Sequence, residues 1–246
     1  MPAPIDRRVS VMGGGSIGKH PTEKWLYFAL AFVGGYGDAA SFVLTKTFTG
    51  HITGSLVLAA IALAAHKWSS MAVHASAVLF FLIGVFASVR IERALVARPA
   101  VKSLPALLIV EAFLTLAAYI ALVPHAIAGV EVFVVCMSLA LGIQNGAFQG
   151  TGGISVHTTY LTGMITGLVT AEAKKTSSTT RDPTQTLLYG IWAAFVAGGT
   201  VGAVLALHFR EEGVLGVTLL LIAIIAFQTR TRTDLRQIAR TTSLKR

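Results

Sequence analysis

Apolar runs fill almost the whole of this 246-residue chain, yet two of them are too short to do what the others can. A helix needs roughly 20 residues to cross the ~30 Å hydrocarbon layer of a bilayer. Six stretches reach that length: 24–45, 70–92, 104–124, 128–149, 187–208 and 213–229. Two others, 52–66 and 159–173, would span only about two-thirds of it. Only 13% of residues are charged and the mean hydropathy is +0.71, so a soluble core is excluded. Inside hydrocarbon every backbone N–H and C=O must be satisfied within the protein, which leaves helices as the material. The expectation is a single transmembrane domain over 24–229, between a disordered cytoplasmic tail at 1–23 and a basic cytoplasmic tail at 230–246.

The two short runs open alike. Phe48-Thr49-Gly50-His51-Ile52-Thr53-Gly54-Ser55 begins the first, and His157-Thr158-Thr159-Tyr160-Leu161-Thr162-Gly163 begins the second. Before each comes a Gly-containing helix with buried polar residues, Gly35-Tyr36-Gly37-Asp38 in one case and Gly142-Ile143-Gln144-Asn145 in the other. Asp38 and Asn145 stand 107 residues apart and Gly54 and Gly163 stand 109 apart, so the two copies keep step. A third pair follows, Phe81-x-x-Gly84-x-x-x-Ser88 and Phe195-x-x-Gly198-x-x-x-Gly202. The chain therefore reads as one unit written twice, repeat one over 24–124 and repeat two over 128–229.

Charge sets the direction of each copy. Basic residues gather before the first long run (Arg7, Arg8, Lys19, Lys24), between the second and third (Arg90, Arg93, Arg98, Lys102), before the fifth (Lys174, Lys175, Arg181) and after the last (Arg230 to Arg246). The connection at 124–130 carries no Lys or Arg. If both short runs enter and leave on one side, all four clusters fall in the cytoplasm, as the positive-inside rule requires. Each copy then makes three crossings, so the second is inverted relative to the first. The expected fold is all-α and integral to the membrane: two inverted repeats of three transmembrane helices, each with a short half-helix after an unwound segment. The half-helices would meet N-terminus to N-terminus near the midplane.

Helix N-termini offer free N–H groups and partial positive charge, a setting for an anion or a carbonyl-rich polar solute. The expected substrate-binding residues are His51, Thr53, Gly54, Ser55, Gln144, Asn145, Tyr160, Thr162 and Gly163. Gly allows close backbone approach and Thr supplies a hydroxyl; packing between helices is the competing use of both. Asp38, an ionisable residue deep in the first span, is the candidate for proton or cation coupling, its alternative being a hydrogen bond to the unwound segment around Thr45–Gly50. His51 either lines the site or caps the half-helix. Gln144 and Asn145 either bind solute or tie down the connection at Gly150–Ser155. Glu111 is expected to pair within the bundle.

Together the Gly-Tyr-x-Asp-Ala helix, the His-x-Thr-Gly motif after a Phe, the Gly-x-Gln-Asn helix and the Thr-Thr-Tyr-Leu-Thr-Gly motif make the chain similar to the YoaK-like family of bacterial inner-membrane proteins, a family of unknown function. The resemblance covers roughly 25–228 and implies a six-span bacterial membrane protein under suspicion of transport. Ser55 departs from the pattern, which has Asn after Thr-Gly. The crossed half-helices are also analogous to the sulfate-permease and nucleobase-transporter folds.

The expected function is secondary-active transport of a small anion or polar metabolite, across a bacterial inner membrane with both termini cytoplasmic. Two other classes remain: an intramembrane enzyme using Asp38 and His51, with Ser41 as a third member, and a non-transporting scaffold or sensor. An enzyme is not the preferred reading, because no hydrolase or metal motif is present, and no cofactor or metal is expected. Partners are the solute, the lipid bilayer, a coupling proton or cation, and a second copy in a homodimer. Nucleic acid is not among them, because the +9 net charge sits at span ends and tails. Gly13 to Lys19 lacks the spacing of a phosphate loop, and the single cysteine, Cys136, excludes an internal disulfide.

Overall fold

The computed structural model describes residues 21–96, 103–123, 129–148, 161–173 and 183–243. Eight α-helices follow one another: α1 Pro21–Thr45, α2 Ile52–Ala64, α3 Trp68–Val96, α4 Ser103–Leu122, α5 Gly129–Phe148, α6 Leu161–Ala173, α7 Pro183–Phe209 and α8 Leu215–Ser243, with a 3-10 turn at Arg210–Val214. No strand occurs among the described residues. Pro21 and Pro183 are the first residues of α1 and α7, a position where the missing N–H would have had no helical partner. α1 ends at Thr45, and the next residue, Lys46, has a φ of 59° in the left-handed region and turns the chain back on itself. Arg210, φ 50°, does the same after α7.

By length and composition five helical stretches can cross a membrane: Trp25–Thr45, Trp68–Leu95, Leu104–Leu122, Gly129–Ala147 and Gln185–Arg230. The last, 46 residues long, takes in most of α7 and the first half of α8, which the turn at Arg210–Val214 sends in opposite directions. Their opposed directions follow from α1, which touches both. Phe28, Phe32 and Tyr36 of α1 meet Gly190, Gly198 and Gly202 of α7 in rising order, so those two helices are parallel. Trp25 of α1 stacks edge-on against Phe227 of α8, while Tyr36 packs on Gly216, so that pair is antiparallel. The tip of the fold-back is pinned by the Tyr36 hydroxyl, which donates to the Gly213 carbonyl at 2.6 Å.

Similar contacts orient the rest. α3 and α5 are parallel: Phe81 and Gly84 meet Gly142, and Ser88 meets Gly146. α1 and α5 are antiparallel, since Gln144 lies against Leu30 and Met137 against Gly37. α4 runs against α5, with Leu107 beside Ile143 and Ala147, and Ala118 beside Phe133 and Val134. The six long helices thus alternate in direction along the chain. The start of α1, the end of α3, the start of α4, the end of α5 and the start of α7 share one end of the bundle, where Arg90 and Arg93 lie near the end of α3.

The two most extensive seams of the bundle are α1 on α7 and α3 on α5. Both are close backbone approaches at glycine. A Cβ on Gly198 would run into the Phe32 carbonyl, and one on Gly142 into the Phe81 carbonyl. Small residues let helices pack in lipid, where no hydrophobic drive pulls them together. Outward faces are apolar: Phe86, Phe113 and Leu207 are each about two-thirds exposed. Such a distribution suits a lipid surround, and the molecule is a multi-pass helical membrane protein in its architecture.

Candidate functional site

α1 delivers the chain to Thr45, seven residues beyond Asp38, or about 10 Å of helix. The chain then doubles back. The segment 46–51 is not helical, and its N–H groups cannot be left bare inside hydrocarbon. Asp38 supplies the partner: its Oδ1 accepts the N–H of Thr49 at 2.9 Å and the N–H of Gly50 at 2.7 Å. The Thr49 hydroxyl donates to Ser41 Oγ at 3.0 Å, and Ser41 donates to the Gly37 carbonyl at 2.6 Å. Thr45 donates to the Ser41 carbonyl, and Thr47 Oγ1 lies 3.0 Å from His74 Nδ1 on α3. Asp38, Ser41, Thr47 and Thr49 are all buried. The result is a polar knot that carries an irregular segment into the bundle and starts α2 beside Asp38.

α2 is 13 residues long and leads back out to Lys67 and α3. Its entry is set by Phe48, which stacks on Phe42 with ring centroids 4.2 Å apart and lies 5.6 Å from the His51 ring. His51 occupies the N-cap position but makes no side-chain capping hydrogen bond, so the capping alternative is not realised. Ser55 is fully buried and donates to the Phe48 carbonyl at 2.6 Å. Thr53 is exposed. Gly54 faces protein: a Cβ there would lie 2.8 Å from the Phe48 ring. Close approach at Gly54 is thus used by Phe48 in this conformation.

In the second half, Gln144 is buried and its Nε2 donates to the Leu30 carbonyl at 2.9 Å, so it ties α5 to α1. Asn145 beside it is buried as well. The connection Gly150–Ser155 and Tyr160 lie outside the described residues, as does the side chain of Thr162. Gly163 is in the first turn of α6 and exposed.

The structure therefore gathers Asp38, His51 and Ser55 around one re-entrant segment, whereas Gln144 and Asn145 lie on α5 at the level of Leu30, about two turns of α1 away from Asp38. The sequence offers the segment Thr45–Gly50 as the alternative partner of Asp38, which is the arrangement found, but assigns no role to the side chains of Thr47, Phe48 and Thr49 and passes over His74. Their signal was the density of hydroxyls between Ser41 and Thr53, a pattern suited to feeding backbone groups where water is absent. The expected pairing of Glu111 is a correction: both of its carboxyl oxygens lack a hydrogen-bond partner.

A family model described as "Protein of unknown function (DUF1275)" matches residues 26–228. The chain belongs to this family. The match takes in both Thr-Gly motifs and the six long apolar runs, leaving out only the two ends of the DUF1275 member. No curated protein and no solved structure matches it.

Proposed function

We propose that the protein is a secondary-active transporter of a small anion or polar metabolite, bound where two half-helices begin. The observation that carries the reading is the knot at Asp38. A buried carboxylate holding an unwound segment by two N–H groups, followed at once by a half-helix with an uncapped N-terminus, is the architecture in which transporters place a solute. Inverted repeats are the natural frame for it. In favour of that frame, α1 and α5, α3 and α7, and α4 and α8 run in opposite directions. The matched motifs also make matched seams: Phe81 and Gly84 pack on α5, and Phe195 and Gly198 pack on α1. In this reading the end of the bundle at which α3 finishes with Arg90 and Arg93 faces the cytoplasm of a bacterial cell, in keeping with the positive-inside rule.

In this reading Asp38 couples solute to protons. Ionised, it binds the Thr49 and Gly50 amides as a charge-assisted acceptor. Protonated, it holds them more weakly, so segment 46–51 and the N-terminus of α2 are released toward the solute. Thr53, exposed, rather than Gly54, behind Phe48, would then meet the ligand on this half-helix.

The test uses protein reconstituted in liposomes, with solutes first selected by thermal shift from a panel of anions and metabolites. Wild type should concentrate a selected solute on an imposed pH gradient. Asp38→Asn keeps an acceptor but fixes the neutral form, so exchange should persist while accumulation is lost. Accumulation by Asp38→Asn equal to wild type overturns the coupling role. Product formation in place of flux overturns the transport reading.

A further inference from the structure

The coupling scheme uses one buried carboxylate, yet the bundle holds a second. Glu111 is fully buried, eight residues into α4, and neither Oε1 nor Oε2 has a hydrogen-bond partner. Its face of the helix is fixed by Leu107, Leu108 and Thr115, three or four residues away, and by Ala118 seven residues on, all buried. Leu108 packs with Leu30, Val33 and Tyr36 of α1 and Leu221 of α8. Leu107 meets Ile143 and Ala147 of α5, and Thr115 Oγ1 lies 2.9 Å from Thr218 Oγ1 of α8. Glu111 thus stands in the seam where α1, α4, α5 and α8 converge, about midway along its span. On the facing α5, Ser138 Oγ and Gln144 Oε1 are also buried without a partner.

Among the described residues no charged group compensates it. On the elements packed around α4, the titratable and charged groups are Glu131 and Cys136 of α5, His74, Arg90, Glu92 and Arg93 of α3, Glu23, Lys24, Tyr27, Tyr36 and Asp38 of α1, and Arg210, Glu211 and Glu212 of the turn. α8 contributes none before Arg230, and α4 itself adds only Tyr119. Asp38 is committed to Thr49 and Gly50, and Tyr36 to Gly213. An ionised carboxylate left unpaired in such a place costs several kcal/mol even after relaxation, whereas a neutral carboxyl costs only its unmade hydrogen bonds.

We propose that Glu111 is a proton-binding site of the bundle: in this conformation its carboxyl carries the proton, and it gives the proton up when α4 and α8 part. A groove of about 340 Å³ between α4 and α8, lined by Ile109, Ala112, Phe113, Thr218 and Ile222, runs beside it and opens toward lipid. The site stands whether or not the protein moves a solute, and its test does not depend on transport.

The probe is dicyclohexylcarbodiimide, an apolar reagent that enters from lipid and reacts with protonated carboxyls. The O–H adds across one C=N bond, the proton going to nitrogen and the carboxyl oxygen to carbon; an acyl shift from oxygen to nitrogen then gives a stable N-acylurea, and nothing leaves. Full-length wild-type protein in phospholipid nanodiscs, treated between pH 5 and 9 and mapped by peptide mass, should be modified at Glu111, with the modified fraction falling as pH rises. Glu111→Gln should lose that label, Glu111→Asp should keep it, and Asp38→Asn should be labelled at Glu111 as wild type is. Because the main reading comes from wild type, misfolding of a variant does not decide the matter. An unmodified Glu111 at every pH in monodisperse protein, or modification independent of pH, overturns the proposal.

Discussion

Removing the Asp38 carboxylate should loosen one short stretch of backbone by a calculable amount. Hydrogen bonds to a charged group contribute about 1.5–3 kcal/mol each. Asp38 makes two, at 2.9 and 2.7 Å, to the amides of Thr49 and Gly50. Asp38→Ala therefore costs local stability about 3–6 kcal/mol. With a factor of ten for every 1.4 kcal/mol, the two amides should exchange with solvent about 10²–10⁴ times faster. Asp38→Asn retains a neutral acceptor and loses roughly 1 kcal/mol per bond, so acceleration should stop near 30-fold. Hydrogen–deuterium exchange in nanodiscs, resolved on peptides across 46–51, measures both. The order wild type, then Asn, then Ala is diagnostic. Unchanged exchange in Asp38→Ala, or identical exchange in the two variants, would refute the claim that the carboxylate carries the segment.

The glycine seams and the topology make two further predictions. Gly142→Leu and Gly198→Leu force a side chain into the carbonyls of Phe81 and Phe32, and should each cost at least the roughly 1–3 kcal/mol typical of overpacking, read as a lower Tm in detergent; Gly167→Leu, where a Cβ meets nothing within 4 Å, should leave Tm unchanged. With Cys136 replaced, single cysteines at Lys67 and Lys174 should react with impermeant thiol reagents from opposite faces, Lys67 from outside and Lys174 from the cytoplasm, and labelling from one face alone would exclude the inverted arrangement.

Helices were legible from the apolar runs because a membrane span has few other solutions. The expected run 104–124 is α4 at Ser103–Leu122, and the short run 52–66 is α2 at Ile52–Ala64. The main departure is α8, expected to stop at 229 and continuing to Ser243. Residues 230–243 are polar, which ends a hydropathy signal, but they contain neither Gly nor Pro and carry four Arg with Leu235, Gln237 and Ala239 among them, so nothing in them forces the helix to stop. In the site, the carboxylate and the unwound segment were both visible as residue types, and so was their hydrogen bond as an alternative. What spacing could not give was rotation about helix axes. Gly54 turns toward Phe48, which belongs to its own segment, and Glu111 turns into a seam where four helices supply no donor. Either outcome depends on a few tens of degrees of helix rotation, and the one-dimensional pattern is the same for both.

The parallel seams also fix the order in which the molecule can be made. α1 has its largest interface with α7, and α3 has its own with α5, so neither half of the chain can close around itself. The ribosome finishes α1 to α4 well before α7 exists. During that interval the groove of α1 that will receive Gly198 and Gly202, and the face of α3 that will receive Gly142, have only lipid or an insertion factor to cover them. Assembly is therefore a late event that completes both seams nearly together, and a chain cut between Leu122 and Gly129 should survive only where its two fragments are synthesised in the same membrane.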